Sequence, residues 1–125
     1  MPKRYGAAVT QPIEVPYAAS LSLDVSLLSS KDFEIGLLTG NCDIALTGGY
    51  DGAEGLINVS QDGTGGYAVT IAAAGRTEIK SASLASLTAA PEPGAHTVYW
   101  YRFYTVNGIG YLQVSMDYLV EQALP

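Results

Sequence analysis

His96-Thr97-Val98-Tyr99-Trp100-Tyr101-Arg102-Phe103-Tyr104-Thr105-Val106-Asn107-Gly108-Ile109-Gly110-Tyr111-Leu112-Gln113-Val114-Ser115-Met116 decides the fold class. Two alternating runs flank Asn-Gly, a pair suited to the type I′ turn, which needs positive φ at both central positions. A two-residue turn fixes the register. Val106 then opposes Ile109, Tyr104 opposes Tyr111, and Phe103 opposes Leu112. Further out, Arg102 faces Gln113, Tyr101 faces Val114, Trp100 faces Ser115 and Tyr99 faces Met116. Side chains alternate across a strand, so Tyr99, Tyr101, Phe103, Leu112 and Val114 are predicted to share a core face. Trp100, Arg102, Tyr104, Tyr111 and Gln113 share the other. That second face is too polar for a core and too aromatic for bare solvent, and it reads as a subunit interface of a homo-oligomer or as a ligand face.

Upstream, Gly55-Leu56-Ile57-Asn58-Val59-Ser60-Gln61-Asp62-Gly63-Thr64-Gly65-Gly66-Tyr67-Ala68-Val69-Thr70-Ile71 shows the same rhythm. Ile57 and Val59 alternate before a glycine-rich loop, and Tyr67, Val69 and Ile71 after it. The pattern predicts paired antiparallel strands. Three further alternations precede it: Leu21, Leu23, Val25 and Leu27; Phe33, Ile35 and Leu37; Cys42, Ile44 and Leu46. Arg76 to Lys80 reads as an edge strand, and Ser83 to Ala89 as a helical turn or loop. Pro91-Glu92-Pro93-Gly94 is a break. There is no helical periodicity, and no internal repeat beyond the strand rhythm. The expectation is an all-β chain, an antiparallel β-sandwich of jelly-roll-like kind over residues 21–125.

Residues 1–20 differ. Pro2, Pro12 and Pro16 punctuate them, and Tyr5, Val9, Ile13, Val15 and Tyr17 are spaced apolar anchors. Proline resists helices and central strands, so this segment reads as an extended N-terminal arm. Lys3 and Arg4 give it a basic tip on an acidic chain. Two readings stand: the tip seeks an acidic partner and the arm attaches to a neighbour, or the two cations only solubilise a terminus.

The chain has 125 residues, about the modal domain size. Charged residues make up 14 %, against about 25 % in ordinary soluble proteins. Either the surface is simply rich in small polar residues, or other subunits cover part of it, since interface cores are poor in charge and rich in Tyr and Trp. The net charge of −6 and the scattered basic residues exclude a nucleic-acid binder. No signal peptide is legible, and no run approaches the ~20 apolar residues of a membrane span.

Catalytic chemistry finds few residues. His96 is the single histidine, so a triad would depend on it; at a strand start it reads as a surface residue. Cys42, the single cysteine, excludes an internal disulfide and, alternating with Ile44 and Leu46, reads as buried and inert. One His and one Cys cannot close a zinc shell. Asp43, Asp51, Glu54 and Asp62 lie near glycine turns, where calcium is possible, but aspartate is also a turn former in its own right. Gly63-Thr64-Gly65-Gly66 lacks the lysine and helix of a phosphate loop and reads as a hairpin turn. Asn58-Val59-Ser60 matches a glycosylation sequon inside a strand. No cofactor, metal or enzymatic activity is expected.

The Gly55–Ile71 stretch resembles a segment of virion structural proteins of tailed bacteriophages, in fibre and capsid-decoration β-domains. The likeness extends to Leu37-Leu38-Thr39-Gly40-Asn41, Leu46-Thr47 and Tyr104. It implies a non-enzymatic virion protein, made in the bacterial cytoplasm, that associates as trimers. Its partners would be other copies of itself and virion proteins such as the major capsid protein. A single domain with an arm suits a capsid decoration or head-fibre protein; a tail-fibre or tail-tip component is the alternative. The arm would attach through Lys3, Arg4, Tyr5, Val9, Ile13, Val15 and Tyr17. A reading of another class is a carbohydrate-binding module, with Trp100, Tyr104 and Tyr111 stacking on sugar rings of a host surface glycan.

Overall fold

The structure, a computed structural model, describes residues 12–26, 30–79 and 91–119. Nine strands are described: β1 (Ile13–Val15), β2 (Ser20–Asp24), β3 (Ser30–Ile35), β4 (Cys42–Thr47), β5 (Glu54–Ser60), β6 (Val69–Ala72), β7 (Thr77–Ile79), β8 (His96–Val106) and β9 (Ile109–Leu119). The chain is all-β, as its alternations predict, and two sheets enclose one core. One sheet has the order β1-β3-β5-β8-β9-β7 and the other β2-β4-β6.

The pairing is mixed and only partly the antiparallel one expected: β5–β8 and β8–β9 are antiparallel, and the other pairs are parallel. Odd strands β1, β3 and β5 lie side by side and parallel in the large sheet. Even strands β2, β4 and β6 do the same in the small one. The chain therefore coils, laying one strand on each sheet per turn. Parallel neighbours need a long connection, and here the strand in the opposite sheet supplies it. Hydrogen bonds tie successive turns at one corner. Tyr17 OH donates to the Asn41 carbonyl 24 residues on (2.8 Å), and Ala68 N–H donates to Asn41 Oδ1 27 residues on (2.9 Å).

This coil corrects the reading of Gly55–Ile71. β5 and β6 belong to different sheets, so residues 61–68 are a crossover and not a hairpin turn. Asp62 Oδ1 accepts from the N–H groups of Thr64 (2.8 Å) and Gly65 (3.0 Å), shaping the first bend. Gly65 has φ 75°, and a Cβ there would lie 2.5 Å from the Pro91 carbonyl oxygen. Gln61 is buried; its amide donates to the Tyr67 carbonyl (2.8 Å) and accepts from the Tyr67 N–H (3.2 Å). One side chain thus closes the loop.

The hairpin register is as predicted. Asn107 and Gly108 have φ 52° and 78°, and every expected pair from Val106–Ile109 to Tyr99–Met116 is present. The inner rows explain the core. Phe33, Ile57, Tyr99 and Met116 cross the large sheet in line. Leu21, Ile44 and Ile71 cross the small one opposite. Burial at about 1.5–3 kcal/mol for each large side chain makes these rows the main stabilising term.

Leu37 breaks its predicted alternation. It is 58 % exposed, while Leu38 is wholly buried. β3 ends at Ile35, Gly36 passes close against the backbone of Tyr17, and the inward phase shifts by one residue. Leu27 and Ser83 to Ala89 lie outside the described residues. Within the expected Arg76–Lys80 edge strand, Thr77–Ile79 forms β7, parallel to β9, and Lys80 lies outside the described residues.

Residues 12–20 already belong to the sheets. β1 pairs with β3, Val15 and Tyr17 pack on the core, and β2 begins at Ser20. Over these positions the chain is part of the body, not a separate arm. Lys3, Arg4, Tyr5 and Val9 lie outside the described residues.

Candidate binding face

The outer face of the six-stranded sheet gathers the hairpin residues singled out by sequence. Cross-strand partners stand on the same face, so the registers give its rows. One row is Asp32, Leu56, Trp100 and Ser115; the next includes Glu54, Arg102 and Gln113; a third includes Tyr104 and Tyr111. On the other side of Trp100 runs Glu14, Glu34, Asn58, Val98 and Asp117.

Trp100 is 43 % exposed, an unusual state for so large an apolar ring. The Tyr104 and Tyr111 rings lie 5.8 Å apart at 40°, and the Arg102 guanidinium sits 5.8 Å from the Tyr104 centroid. Aromatic and cation–π contacts of this kind hold side chains in place without hiding them. A shallow hollow of about 460 Å³ opens here, lined by Glu54, Leu56, Trp100, Arg102, Gln113 and Ser115.

Arg76 braces the face from beneath. Its guanidinium donates to Asp51 Oδ1 (3.2 Å) and to the Tyr104 carbonyl (3.3 Å), and lies 5.2 Å from the Phe103 centroid. Asp51 Oδ1 also accepts from the Thr105 hydroxyl (2.9 Å). The Thr105 hydroxyl first, and Arg76 second, hold the Asp51 carboxyl below its ordinary range.

The other candidates are committed to structure. His96 Nε2 lies 3.1 Å from Asn58 Oδ1 at the start of β8. Cys42 is buried, and burial, then the charge of Asp43, pushes its thiol up, away from a reactive thiolate. Asp43 accepts from Thr70 Oγ1 (2.7 Å). No group of three or more metal-ligating side chains occurs among the described residues. Tyr99 and Tyr101 are held above the ordinary tyrosine range by burial, which keeps them neutral.

Sequence reasoning missed Gln61, Arg76 and Leu56, and weighed Glu54 only as a calcium ligand in a turn. Gln61 had a signal, since it takes the next inward position after Ile57 and Val59. Glu54 and Leu56 join the face only because β5 borders β8, which no local pattern announces.

No protein-family model matches the chain, and neither a curated protein nor a solved structure is similar to it.

Proposed function

We propose that this chain is a non-enzymatic structural protein of a tailed-phage virion, a capsid decoration or head-fibre subunit that works by assembly and binding. The observation that carries the binding role is the gathering of Trp100, Arg102, Tyr104, Tyr111 and Gln113 on one outer face of the six-stranded sheet, with Trp100 43 % exposed. The virion setting rests on the likeness of Gly55–Ile71 to phage fibre and decoration domains.

Assembly is assigned to the open edge at β1 rather than to the aromatic face. Among the described residues, Glu14, Asp32, Glu34, Glu54 and Asp117 stand on that face with one cation, Arg102. Two such faces would repel, and like charges placed opposite each other are destabilising. β1 is an edge strand, with Ile13 43 % exposed. The Val15 carbonyl accepts from Gly36 N–H, so Val15 points its backbone groups at β3. Those groups alternate sides along a strand, so Glu14 points its own to the open edge. A neighbour's strand can add there, and repetition around a three-fold axis closes a trimer.

Antibody against this chain, applied to particles purified from a lysate of the bacterium that carries the gene, tests the setting. Label on capsids is expected. Label on tail tips moves the placement to the tail, and particles without label contradict a virion protein.

A further inference from the structure

We propose that the hollow around Trp100 binds a neutral hexopyranose unit of a glycan. The site goes beyond the virion reading and does not depend on it. It requires only that this face stay open in the assembled protein.

The lining carries the inference. A pyranose ring has an apolar C–H face and a rim of hydroxyls that both donate and accept hydrogen bonds. The hollow offers the complement. The half-exposed Trp100 ring and Leu56 form an apolar floor, and Glu54, Arg102, Gln113 and Ser115 stand around it. Glu54 accepts only, Arg102 donates only, and Gln113 and Ser115 do both. Ligand sites commonly pair an apolar lining with a few convergent polar groups in about 300–1,000 Å³, and this one holds about 460 Å³.

The polar groups are also available. Glu54 and Arg102 are direct partners across β5 and β8. Even so, the one ion pair among the described residues is Arg76–Asp51. Hydroxyls bound by an ionised carboxylate or guanidinium make the stronger, charge-assisted kind of hydrogen bond. Arg102 is steadied over Tyr104, so less ordering entropy is lost on binding.

Charge and shape together select among occupants. The hollow's own lining is electroneutral, one carboxylate against one guanidinium. A cationic peptide would be drawn by Glu54, Asp32, Glu34 and Asp117 and opposed by Arg102, but it offers no flat C–H face to the floor of Trp100 and Leu56. An acidic sugar would meet Glu54 with Glu34 and Asp117 in the rows nearby. A neutral sugar meets neither penalty.

The test is an amide and indole NMR titration of the full chain at millimolar concentrations of glucose, galactose, mannose, N-acetylglucosamine, glucuronic acid and a Lys-Arg-Lys peptide. At least one neutral sugar is expected to give saturable shifts at the Trp100 indole and the Gln113 amide. Glucuronic acid should bind about tenfold more weakly. Trp100→Ala should abolish the Gln113 amide shift while the amide pattern of the Asn107–Gly108 turn is unchanged, and Trp100→Phe should keep the Gln113 shift in part. The proposal is overturned if no neutral sugar shifts the wild-type signals, if only the peptide does, or if the Gln113 shift survives Trp100→Ala. None of these outcomes changes the antibody result on particles, so the two readings fail separately.

Discussion

Gly65 and Gly66 stand side by side with similar backbone angles, φ 75° and 89°, in different surroundings. A Cβ on Gly65 would meet the Pro91 carbonyl oxygen at 2.5 Å and Pro93 N at 2.8 Å, whereas one on Gly66 would meet nothing within 4 Å. Gly66→Ala should therefore cost only the left-handed conformation, about 1 kcal/mol. Gly65→Ala adds overpacking against backbone and should cost about 2–4 kcal/mol. Urea unfolding of both variants checks the order; equal losses would contradict the crossover geometry. The sequence shows that this loop needs glycine, but only the fold shows which glycine lacks room. Gln61→Ala should cost about 1–3 kcal/mol, because it removes both partners of the half-buried amide and carbonyl of Tyr67, measured in the same assay. Asp51 gives a pH prediction. Its folded-state carboxyl titrates below the ordinary value of 3.8. Its stabilisation is thus fully present above that value and is lost as pH falls through the lower folded one. The difference in melting temperature between the wild type and Asp51→Asn should shrink on acidification through this window. A difference that grows there would contradict the bond to Thr105 and Arg76.

The β8–β9 hairpin was legible because two residues, Asn107 and Gly108, set its register without help from the rest of the chain. The β5–β6 crossover was not, although its alternation is equally clear. Period two reports one buried and one exposed face, and says nothing of strand direction. Parallel strands are usually covered on both sides and read as continuous apolar runs. Here both sheets expose their outer faces, as the pattern of Cys42–Thr47 shows, so that cue is missing. The coil also escaped notice as a repeat, because successive turns match in shape and not in residues: Ile13, Phe33 and Ile57 share a row. The candidate face was half legible for the same reason. Its β8 and β9 members follow from the turn, while Glu54 and Leu56 depend on the long-range neighbour. Phe103 tests the packing beneath the hairpin. It lies against Gly49, Tyr101 and Arg76, so Phe103→Ala should cost about 3–5 kcal/mol by urea unfolding.

At the scale of the whole molecule, the proposed reading gives two surfaces separate work. The outer face of the large sheet carries aromatic rings and polar groups among carboxylates, and is proposed as the surface for a ligand. The β1 edge, unpaired among the described residues, carries the exposed Ile13 and is proposed as the surface for a neighbouring strand. The mass in solution of the wild type, Trp100→Ala and Glu14→Pro, by light scattering at micromolar concentration, tests this division directly. Proline at position 14 removes the donor on the open edge and leaves the Val15 bond to β3 intact. The expected result is a trimer for the wild type, an unchanged trimer for Trp100→Ala and a folded monomer for Glu14→Pro. A monomeric wild type, or a trimer broken by Trp100→Ala and kept by Glu14→Pro, would contradict it.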